Sequence, residues 1–320
     1  MTNDTKKLKI VFMGTSPFAA TVLKALTSEK YSITSVYTKP DKKVGRDQKV
    51  RRSAVKILAE ESKLAIKTPD KLDGSVAEEI KSQKPDMIVV VAYGKILPHE
   101  ILKIPRLGAI NVHASLLPKF RGPSPIQNTI LHGEAVTGVT IMLMDEGIDT
   151  GEILAQEETE INPDETYPEL SQKLAVLSTE LLKKTIPQWV EGKIKPKMQD
   201  NTGSLICQLI EREDGKVIWD DEAQNIYNRY RAFTPWPGLY TFWEKNGVYL
   251  RLKLNKISLM SQNTFESHHI GEAFLLDDNV GVQTSSGVIV LEEVQLEGKN
   301  NVKTEEFLRG APDFIGSVLK

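Results

Sequence analysis

Three polar side chains in the middle of the chain could together carry out acyl transfer: Asn111, His113 and Asp149. Asn111 and His113 stand two apart at the end of the apolar run 107–112, so in a strand both side chains would project from one face. An amide can donate to a developing oxyanion, and an imidazole is a second donor or a proton shuttle near neutral pH. Asp149 follows another strand-like run and lies between two glycines that suit a bent loop. Its carboxylate could orient His113 or accept a proton from an attacking amine.

Each of these residues also has an ordinary structural explanation. Asn and Asp are common in turns, and a single His at a strand end is more often structural than catalytic. The expected convergence of the two segments at one place favours the catalytic interpretation, because ligands bind at the carboxyl ends of the strands in an open parallel sheet. The runs 109–113 and 139–144 are both expected to end at that crevice.

The first half of the chain alternates short β-rich runs with helical stretches, which predicts parallel βαβ units in a Rossmann-like, doubly wound α/β domain. The predicted strands are 9–13, 32–38, 87–93, 109–113 and 139–144. The first turn, FMGTSPFAA at 12–20, lacks the G-x-G-x-x-G fingerprint, and no Walker loop occurs in the chain. We therefore expect neither dinucleotide binding nor ATP hydrolysis.

A second domain is expected near the C-terminus. After a helical stretch that ends near Val190, the sequence has Gly, Pro and alternating Lys without apolar periodicity, which is typical of an interdomain linker. Beyond it, a helix at 221–232 and several short strands predict a small OB-like β-barrel; the strands are 238–243, 248–257, 280–284 and 288–294. The predicted organisation is a catalytic domain at 1–190, a linker at 191–208 and a barrel domain at 209–320.

Composition narrows the class of protein. The single cysteine, Cys207, excludes an internal disulfide framework and fits a reducing compartment. The five histidines show no metal-ligand spacing, so no metal is expected. No run approaches the roughly 18 apolar residues that span a bilayer, and the N-terminus lacks a cleavage site. These features predict a cytoplasmic protein without a membrane partner, and we expect a monomer.

Charge is distributed unevenly around a net value of −2. Lys and Arg outnumber Asp and Glu by 29 to 26 in residues 1–208, whereas residues 209–320 have 12 against 17. The segment 39–52 carries seven cationic side chains and two aspartates, with Gly45 in its middle. A polar loop of this kind could lay its charges along a phosphate backbone, and the alternative is a solvated, mobile loop.

The chain resembles the methionyl-tRNA formyltransferase family along essentially its whole length. Six segments carry the resemblance: FMGTSPFAA (12–20), KPDKKVGR (39–46), VAYGKILP (91–98), NVHASLLPKFRGPSPIQ (111–127), GVTIMLMDEGIDTG (138–151) and RAFTPWPGLYT (231–241). The Asn-x-His, Ser-Leu-Leu-Pro and Asp-x-Gly-x-Asp-Thr-Gly set is shared by several enzymes that use 10-formyltetrahydrofolate. Its combination with the basic first loop and the Pro-Trp-Pro-Gly segment is more specific.

The resemblance implies a reaction and a role for each motif. The donor would be 10-formyltetrahydrofolate, and the acceptor would be the amine of methionine on initiator tRNA. Asn111 and His113 would donate to the oxyanion, while Asp149 would fix His113 and help to take the amine proton. The folate site would include Ser115, Leu116, Leu117 and Pro118. The acceptor stem of the tRNA would contact Arg46 and its neighbours Lys42, Lys43 and Lys49.

Two features depart from the family. The stretch 51–56 lacks a proline that family members often have, and residues 209–320 are net acidic where the family uses positive charge to hold tRNA. Other cations could take over this role: Lys193, Lys195 and Lys197 in the linker, and Arg229, Arg231, Lys253 and Lys256 beyond it.

Two other functions are compatible with parts of this pattern. A formyltransferase for glycinamide ribonucleotide or an amino sugar nucleotide would keep the three polar residues, but should lack the basic loop and the Pro-Trp-Pro-Gly segment. A non-catalytic RNA-binding protein could keep the loop and barrel, but would have no reason to hold Asn111, His113 and Asp149 in register.

Overall fold

A computed structural model of the chain describes residues 8–29, 31–44, 48–260, 268–276 and 279–320. Packing divides the chain into two units. The first unit contains residues up to Pro125, 136–161 and 170–208, and the second contains 126–135, 162–169 and 209–320. The catalytic-domain boundary at 190 stays a prediction, and the first unit itself continues to Gln208.

The described part of the first unit contains nine strands. They are β1 (Lys9–Gly14), β2 (Ser32–Tyr37), β3 (Lys42–Val44), β4 (Lys49–Arg51), β5 (Ile66–Lys67), β6 (Met87–Val91), β7 (Ala109–His113), β8 (Val136–Leu143) and β9 (Ile153–Glu160). Seven of them form one sheet in the order β5-β2-β1-β6-β7-β8-β9, and β3 pairs with β4 in a separate hairpin. The five neighbouring strands β5, β2, β1, β6 and β7 are all parallel. β6 and β7 are buried along their whole lengths, as expected where a sheet is covered on both faces.

Helices connect these strands and give the Rossmann-like, doubly wound fold that the sequence predicts. The helices of the first 190 residues are α1 (Pro17–Ser28), α2 (Ala54–Glu61), α3 (Gly74–Ser82), α4 (His99–Leu102), α5 (Pro125–Leu131) and α6 (Tyr167–Val190). α1 begins directly after β1, because the Ser16 side chain accepts from the backbone N–H of Ala19 and Pro17 occupies the first helical position. The predicted fold class is confirmed.

One strand runs opposite to the prediction. β8 is antiparallel to β7, with Ile110 opposite Leu143 and His113 opposite Thr140. The expectation that 139–144 forms a parallel strand, ending at the same crevice as β7, is therefore wrong. The chain turns back at the carboxyl end of β7 and does not first return to the amino end of that strand, as a βαβ unit must. The carboxyl end of β8 consequently lies beside the amino end of β7.

The second unit contains an antiparallel sheet. Its strands are β10 (Leu239–Lys245), β11 (Val248–Met260), β12 (Ala273–Leu276), β13 (Asn279–Gln283), β14 (Val288–Leu296) and β15 (Val302–Lys303), and its helices include α7 (Ala223–Phe233) and α8 (Thr304–Gly310). The order is β10-β11-β14-β13-β12, with β15 beside β14. Asn246 and Gly247 both have positive φ, which is the backbone that a tight turn between β10 and β11 requires. The predicted OB-like barrel is confirmed.

Aromatic side chains form the core of this second unit. Trp243 is 1% exposed and makes edge-to-face contacts with Phe307 and Phe314. Such ring pairs add to the free energy gained from burial alone. In the described parts of both units, none of the helices combines the length and the apolar character needed to cross a bilayer.

Candidate active site

β7 positions the first two predicted site residues. It lies between β6 and β8, so its backbone is held from both sides, and Asn111 is opposite Val90 and Met142. Because Asn111 and His113 are two apart on the strand, their side chains share a face of the sheet. Asn111 is 9% exposed and His113 is 6% exposed, so both polar groups need partners within the protein.

Asp149 reaches this face through the loop between β8 and β9. The loop is bent tightly: Asp145 Oδ1 accepts from Thr150 Oγ1 at 2.7 Å, and the Leu143 N–H donates to Glu152 O at 2.8 Å. A methyl group on Gly151 would overlap the carbonyl oxygen of Leu143, so any residue larger than glycine would displace the backbone there. The loop thus carries Asp149 back to β7, although β8 itself runs away from the carboxyl end of β7.

The three predicted catalytic side chains lie together. Asp149 Oδ1 accepts from Asn111 Nδ2 at 3.1 Å, and Asp149 Oδ2 lies 3.5 Å from His113 Nδ1. The backbone N–H of Gly122 donates to the same Oδ2 at 2.8 Å. The carboxylate is therefore held by an amide, an imidazole and the main chain, and 14% of its side chain remains exposed.

The geometry around His113 restricts its proton positions. His113 Nε2 is 2.9 Å from the carbonyl oxygen of Phe120, which can only accept, so Nε2 carries a hydrogen. Nδ1 faces the Asp149 carboxylate at 3.5 Å, which is longer than the distance from Nε2 to Phe120 O, 2.9 Å. The side of the ring that carries Nδ1 is therefore the one available to a reacting group. The second hydrogen on Asn111 Nδ2 provides another donor.

The predicted folate segment is folded tightly after β7. The Thr140 hydroxyl donates to Ser115 O at 2.7 Å and accepts from the Leu117 N–H at 3.1 Å, and Gln156 Nε2 donates to Leu117 O at 2.9 Å. Ser115 and Leu117 are buried, while Leu116 and Pro118 are half-buried. Because the Ser115 hydroxyl donates to Lys119 O, the side chain of this serine is already engaged within the segment.

The predicted tRNA-binding lysines lie on a hairpin. Lys42 and Lys43 belong to β3 and Lys49 to β4, so the segment expected to be a loop is in part a two-stranded ribbon. Backbone pairing forms such a ribbon without an apolar core, which is why the polar sequence gave no strand signal. Lys42 and Lys49 are exposed, and Arg46 lies outside the described residues.

The base of this hairpin carries concentrated positive charge. The pKa of Lys39 is lowered first by burial and then by repulsion from Lys42 and Lys95. The ammonium group of Lys39 occupies the space beside Gly94 in which a side chain would otherwise lie. Lys39, Lys42 and Lys95 therefore lie close together near the end of β2.

Two further residues support the site and were not predicted: Arg121 and Gln199. Gln199 Nε2 donates to the carbonyl oxygens of Asp149 and Gly151, at 2.9 and 2.8 Å. Arg121, which is 7% exposed, donates from Nε and from an Nη to Gln199 Oε1 at 3.1 and 2.7 Å. Gln199 belongs to the stretch interpreted as a linker, and one glutamine there gives no local pattern that could reveal a contact with Asp149.

A cavity of about 580 Å³ adjoins the Asp149 loop, on the side of Thr150 and Gly151. This volume falls within the range of small-molecule sites. Its walls are of two kinds: Leu102, Leu143 and Met144 are apolar, whereas Arg121, Gln199 and Asn201 are polar. The predicted folate residues 115–118 are not among those that line it. Across the described residues, His, Cys, Asp and Glu form no group of three or more suited to a metal ion.

Family models match most of the chain. Residues 8–186 match the model described as "Formyl transferase", and residues 209–312 match "Formyl transferase, C-terminal domain". A methionyl-tRNA formyltransferase of Caldicellulosiruptor saccharolyticus is 41% identical over 316 residues, covering 98% of this chain and 100% of the relative. One from Geotalea uraniireducens is 38% identical over 313 residues, covering 98% of each chain.

Solved structures share the fold at lower sequence identity. An N-formyltransferase from Helicobacter canadensis, in complex with folinic acid and dTDP-3-aminofucose, is 21% identical with a TM-score of 0.66, and the match covers 89% of this chain and 98% of that one. HypX from Aquifex aeolicus, in complex with tetrahydrofolic acid, is 17% identical with a TM-score of 0.63, over 95% of this chain and 47% of that one. At these identities the likeness concerns the fold.

Proposed function

The chain belongs to the methionyl-tRNA formyltransferase family, and we propose that it formylates the methionyl amine of initiator tRNA at the site formed by Asn111, His113 and Asp149. The resemblance found in the sequence is confirmed by these relatives. The observation that carries the proposed site is the carboxylate of Asp149, which binds both Asn111 and Gly122 and faces His113. In the proposed site, these three side chains would supply two hydrogen-bond donors and one base to a single reacting carbon.

In the proposed reaction, the amine nitrogen attacks the formyl carbon, and the carbonyl oxygen becomes an oxyanion. Asn111 Nδ2 and His113 are the proposed donors to that oxygen, because both side chains lie on the same face of β7 beside Asp149. Donors aimed at developing charge in a partly closed site stabilise the transition state more than the ground state. The Phe120 carbonyl holds the opposite side of the imidazole ring during this step.

Collapse of the intermediate breaks the bond between the formyl carbon and the folate nitrogen. The amine loses one proton and the leaving nitrogen gains one, so the reaction needs no net acid or base. We assign this transfer to the Asp149–His113 pair: the carboxylate accepts the amine proton, and a proton passed through His113 reaches the leaving nitrogen. Exposure of Asp149 to the site is consistent with direct contact with the attacking amine.

The formyl donor is a folate derivative, and we propose that it is 10-formyltetrahydrofolate bound in the cavity beside Thr150 and Gly151. The apolar wall of Leu102, Leu143 and Met144 suits the flat face of a pterin, and the amide of Asn201 suits its polar edge. The segment 115–118 follows β7 and does not line this cavity, so any contact it makes would be with a part of the donor that lies outside the cavity. We propose that Ser115, Leu116, Leu117 and Pro118 contact the donor through backbone atoms and the half-buried side chains.

The acceptor is proposed to approach over the β3–β4 hairpin. Lys42, Lys43 and Lys49 of the hairpin, together with Arg46, would bind phosphates of the acceptor stem. The pKa of Lys39 is lowered mainly by burial, and repulsion from Lys42 and Lys95 adds to the shift; a bound phosphate would offset that repulsion. A formyltransferase acting on a small amine has no need of such a surface.

One experiment separates the proposed acceptor from the other candidates. The purified full-length chain is given 10-formyltetrahydrofolate with charged initiator tRNA, glycinamide ribonucleotide or an amino sugar nucleotide, and the formylated product is measured. We expect product with the tRNA only. Product with a small-molecule amine alone would assign the chain to another acceptor. If none of the three acceptors is formylated, the proposed formyl transfer is excluded.

We also propose the domain boundaries 1–190, 191–208 and 209–320, and a monomer that works in the cytoplasm. The boundaries are supported by the two family models, since the first match ends at residue 186 and the second begins at residue 209. Size-exclusion chromatography with light scattering tests the monomer, and a mass of twice the chain would contradict it.

A further inference from the structure

Asp149 occupies a backbone conformation that needs outside support. Its φ is +53°, in the left-handed region that non-glycine residues seldom adopt, although Asp is among those that tolerate it best. The residue lies in a loop rather than in β8 or β9, so no strand pairing fixes it. Something outside the loop must hold its backbone if the carboxylate is to stay within hydrogen-bond distance of Asn111.

Gln199 supplies that support with both hydrogens of its amide. Nε2 donates to the carbonyl of Asp149 at 2.9 Å and to that of Gly151 at 2.8 Å, so it fixes the peptides on the carboxyl side of the catalytic residue. Arg121 can only donate, and it holds Gln199 Oε1 with two N–H groups. The orientation of the Gln199 amide is thereby determined, since Nε2 must face the loop.

The backbone on both sides of Gln199 is anchored by hydrogen bonds to the rest of the first unit. Lys197 and Ile153 exchange backbone hydrogen bonds of 2.8 and 2.9 Å. On the other side of Gln199, the Arg121 N–H donates to Leu205 O and the Cys207 N–H donates to Arg121 O. The glutamine is therefore held from both ends of a segment that has paired with the first unit.

Arg121 connects this support to the carboxylate itself. The next residue, Gly122, donates its backbone N–H to Asp149 Oδ2 at 2.8 Å. The backbone carbonyl and the side-chain oxygen of Asp149 are thus both held by one connected group, Arg121, Gly122 and Gln199. We propose that Gln199 is a positioning residue that sets the carboxylate of Asp149 for formyl transfer, a role that rests on the function proposed above.

The substitution Gln199→Glu isolates this role. A carboxylate keeps an acceptor for Arg121 but loses the hydrogens that bind Asp149 O and Gly151 O, and its second oxygen would face two carbonyl oxygens. A misplacement of about 1 Å at a reacting group can lower a rate by ~100-fold, so we expect kcat to fall by roughly 10- to 100-fold while KM for both substrates changes little. Gln199→Met, which is neutral and of similar length, tests the same loss without a new charge.

The decisive measurement is a double-mutant cycle in the full-length chain. Asp149→Asn is expected to be strongly impaired, and adding Gln199→Glu to it should lower kcat little further, because the glutamine acts through that carboxylate. Gln188→Glu, at an exposed position on α6, is the matched control and should retain wild-type kinetics. Thermal midpoints are measured for every variant.

Several outcomes would overturn the proposal. Wild-type kcat in both Gln199 variants would show that the glutamine has no role, and a rise only in KM for the folate would show a role in binding instead. The proposal would also fail if the Gln199 and Asp149 variants lowered kcat by independent factors that multiply in the double variant. A fall in kcat explained by a thermal midpoint at or below the assay temperature would show a merely structural role. Failure of the wild-type chain to transfer formyl groups is a different result, since it removes the proposed function before any variant is compared.

Discussion

Asn111 and Asp149 are joined by a hydrogen bond of 3.1 Å, although they stand 38 residues apart and a whole antiparallel strand runs between them. The bond exists because the loop after β8 doubles back over the sheet. It ties the carboxylate to the same strand that carries His113. The candidate catalytic group is therefore a property of two distant segments, and substitutions in either one should disturb it.

Replacing His113 should abolish most of the activity without unfolding the protein. His113→Ala removes a donor to the oxyanion and the partner of Asp149, so we expect kcat to fall by at least ~100- to 1,000-fold. The measurement is formyl transfer to charged initiator tRNA, with circular dichroism to verify folding. His132→Ala, at an exposed position, serves as the control. Full activity in the His113 variant would sink the assigned mechanism.

Enlarging Gly151 should displace the loop that carries Asp149. A methyl group at this position would meet the carbonyl oxygen of Leu143, which is backbone and cannot swing aside. We expect Gly151→Ala to lower kcat by at least ~100-fold, since the carboxylate must shift. Gly74→Ala is the matched control, because a methyl group there would meet nothing within 4 Å. Equal activity of the two variants would contradict the proposed tightness of the loop.

Removing the Thr140 hydroxyl should weaken the segment that follows β7. Thr140→Val keeps the shape of the side chain but leaves Ser115 O and the Leu117 N–H without their partner. We expect the free energy of unfolding to fall by about 1–3 kcal/mol and KM for the folate to rise. Urea denaturation and steady-state kinetics measure the two effects. Thr137→Val, buried on the same strand, is the control, and unchanged stability in Thr140→Val would mean that these bonds contribute little.

Cys207 should react slowly with alkylating reagents in the folded protein. Burial, with a smaller contribution from the charge of Asp149, raises the pKa of this thiol from 9.0 to about 12. A raised pKa leaves less thiolate near neutral pH, by about 1,000-fold at this shift, and the thiolate is the reactive form. Iodoacetamide labelling should therefore be much faster in urea than in buffer. Asp149→Asn should also speed labelling of the folded protein, and rapid labelling of the folded wild type would contradict the buried position.

The basic hairpin should act on the tRNA alone. We expect Arg46→Ala to raise KM for charged initiator tRNA by roughly tenfold, and Lys49→Ala to weaken binding less and to reduce its salt dependence. KM for the folate should not change in either variant. Lys24→Ala, an exposed lysine of α1, controls for loss of charge in general. Equal damage to the use of both substrates would argue against a separate tRNA surface.

The sequence predicted most of the fold because its signals are local. β7 is observed over Ala109–His113, the predicted range, since an apolar run ends there at two polar residues. The predicted direction of β8 was wrong, because strand direction depends on the path of the connecting segment. Apolar periodicity does not encode that path. β12, only four residues long, was missed in the barrel for lack of a repeating pattern.

The site was predictable only in part, for a related reason. Asn111 and His113 share a strand, so their spacing carries geometric information. The place of Asp149 beside them depends on a loop that folds back, and the expected meeting of parallel strand ends is not what brings it there. Gln199 recognises backbone carbonyls, which every residue has, so its contacts with Asp149 and Gly151 leave no complementary side chain to find in the sequence.

The pairing of residues 197–207 with the first unit determines where the chain can be cut. A fragment that ends at Val190 would lose the backbone bonds between Lys197 and Ile153 and the partners of Arg121, and it would lose Gln199 with them. A fragment extended to Gln208 would retain all of these. Work on the isolated first unit, for ligand screening or for crystals, should therefore begin from the longer fragment.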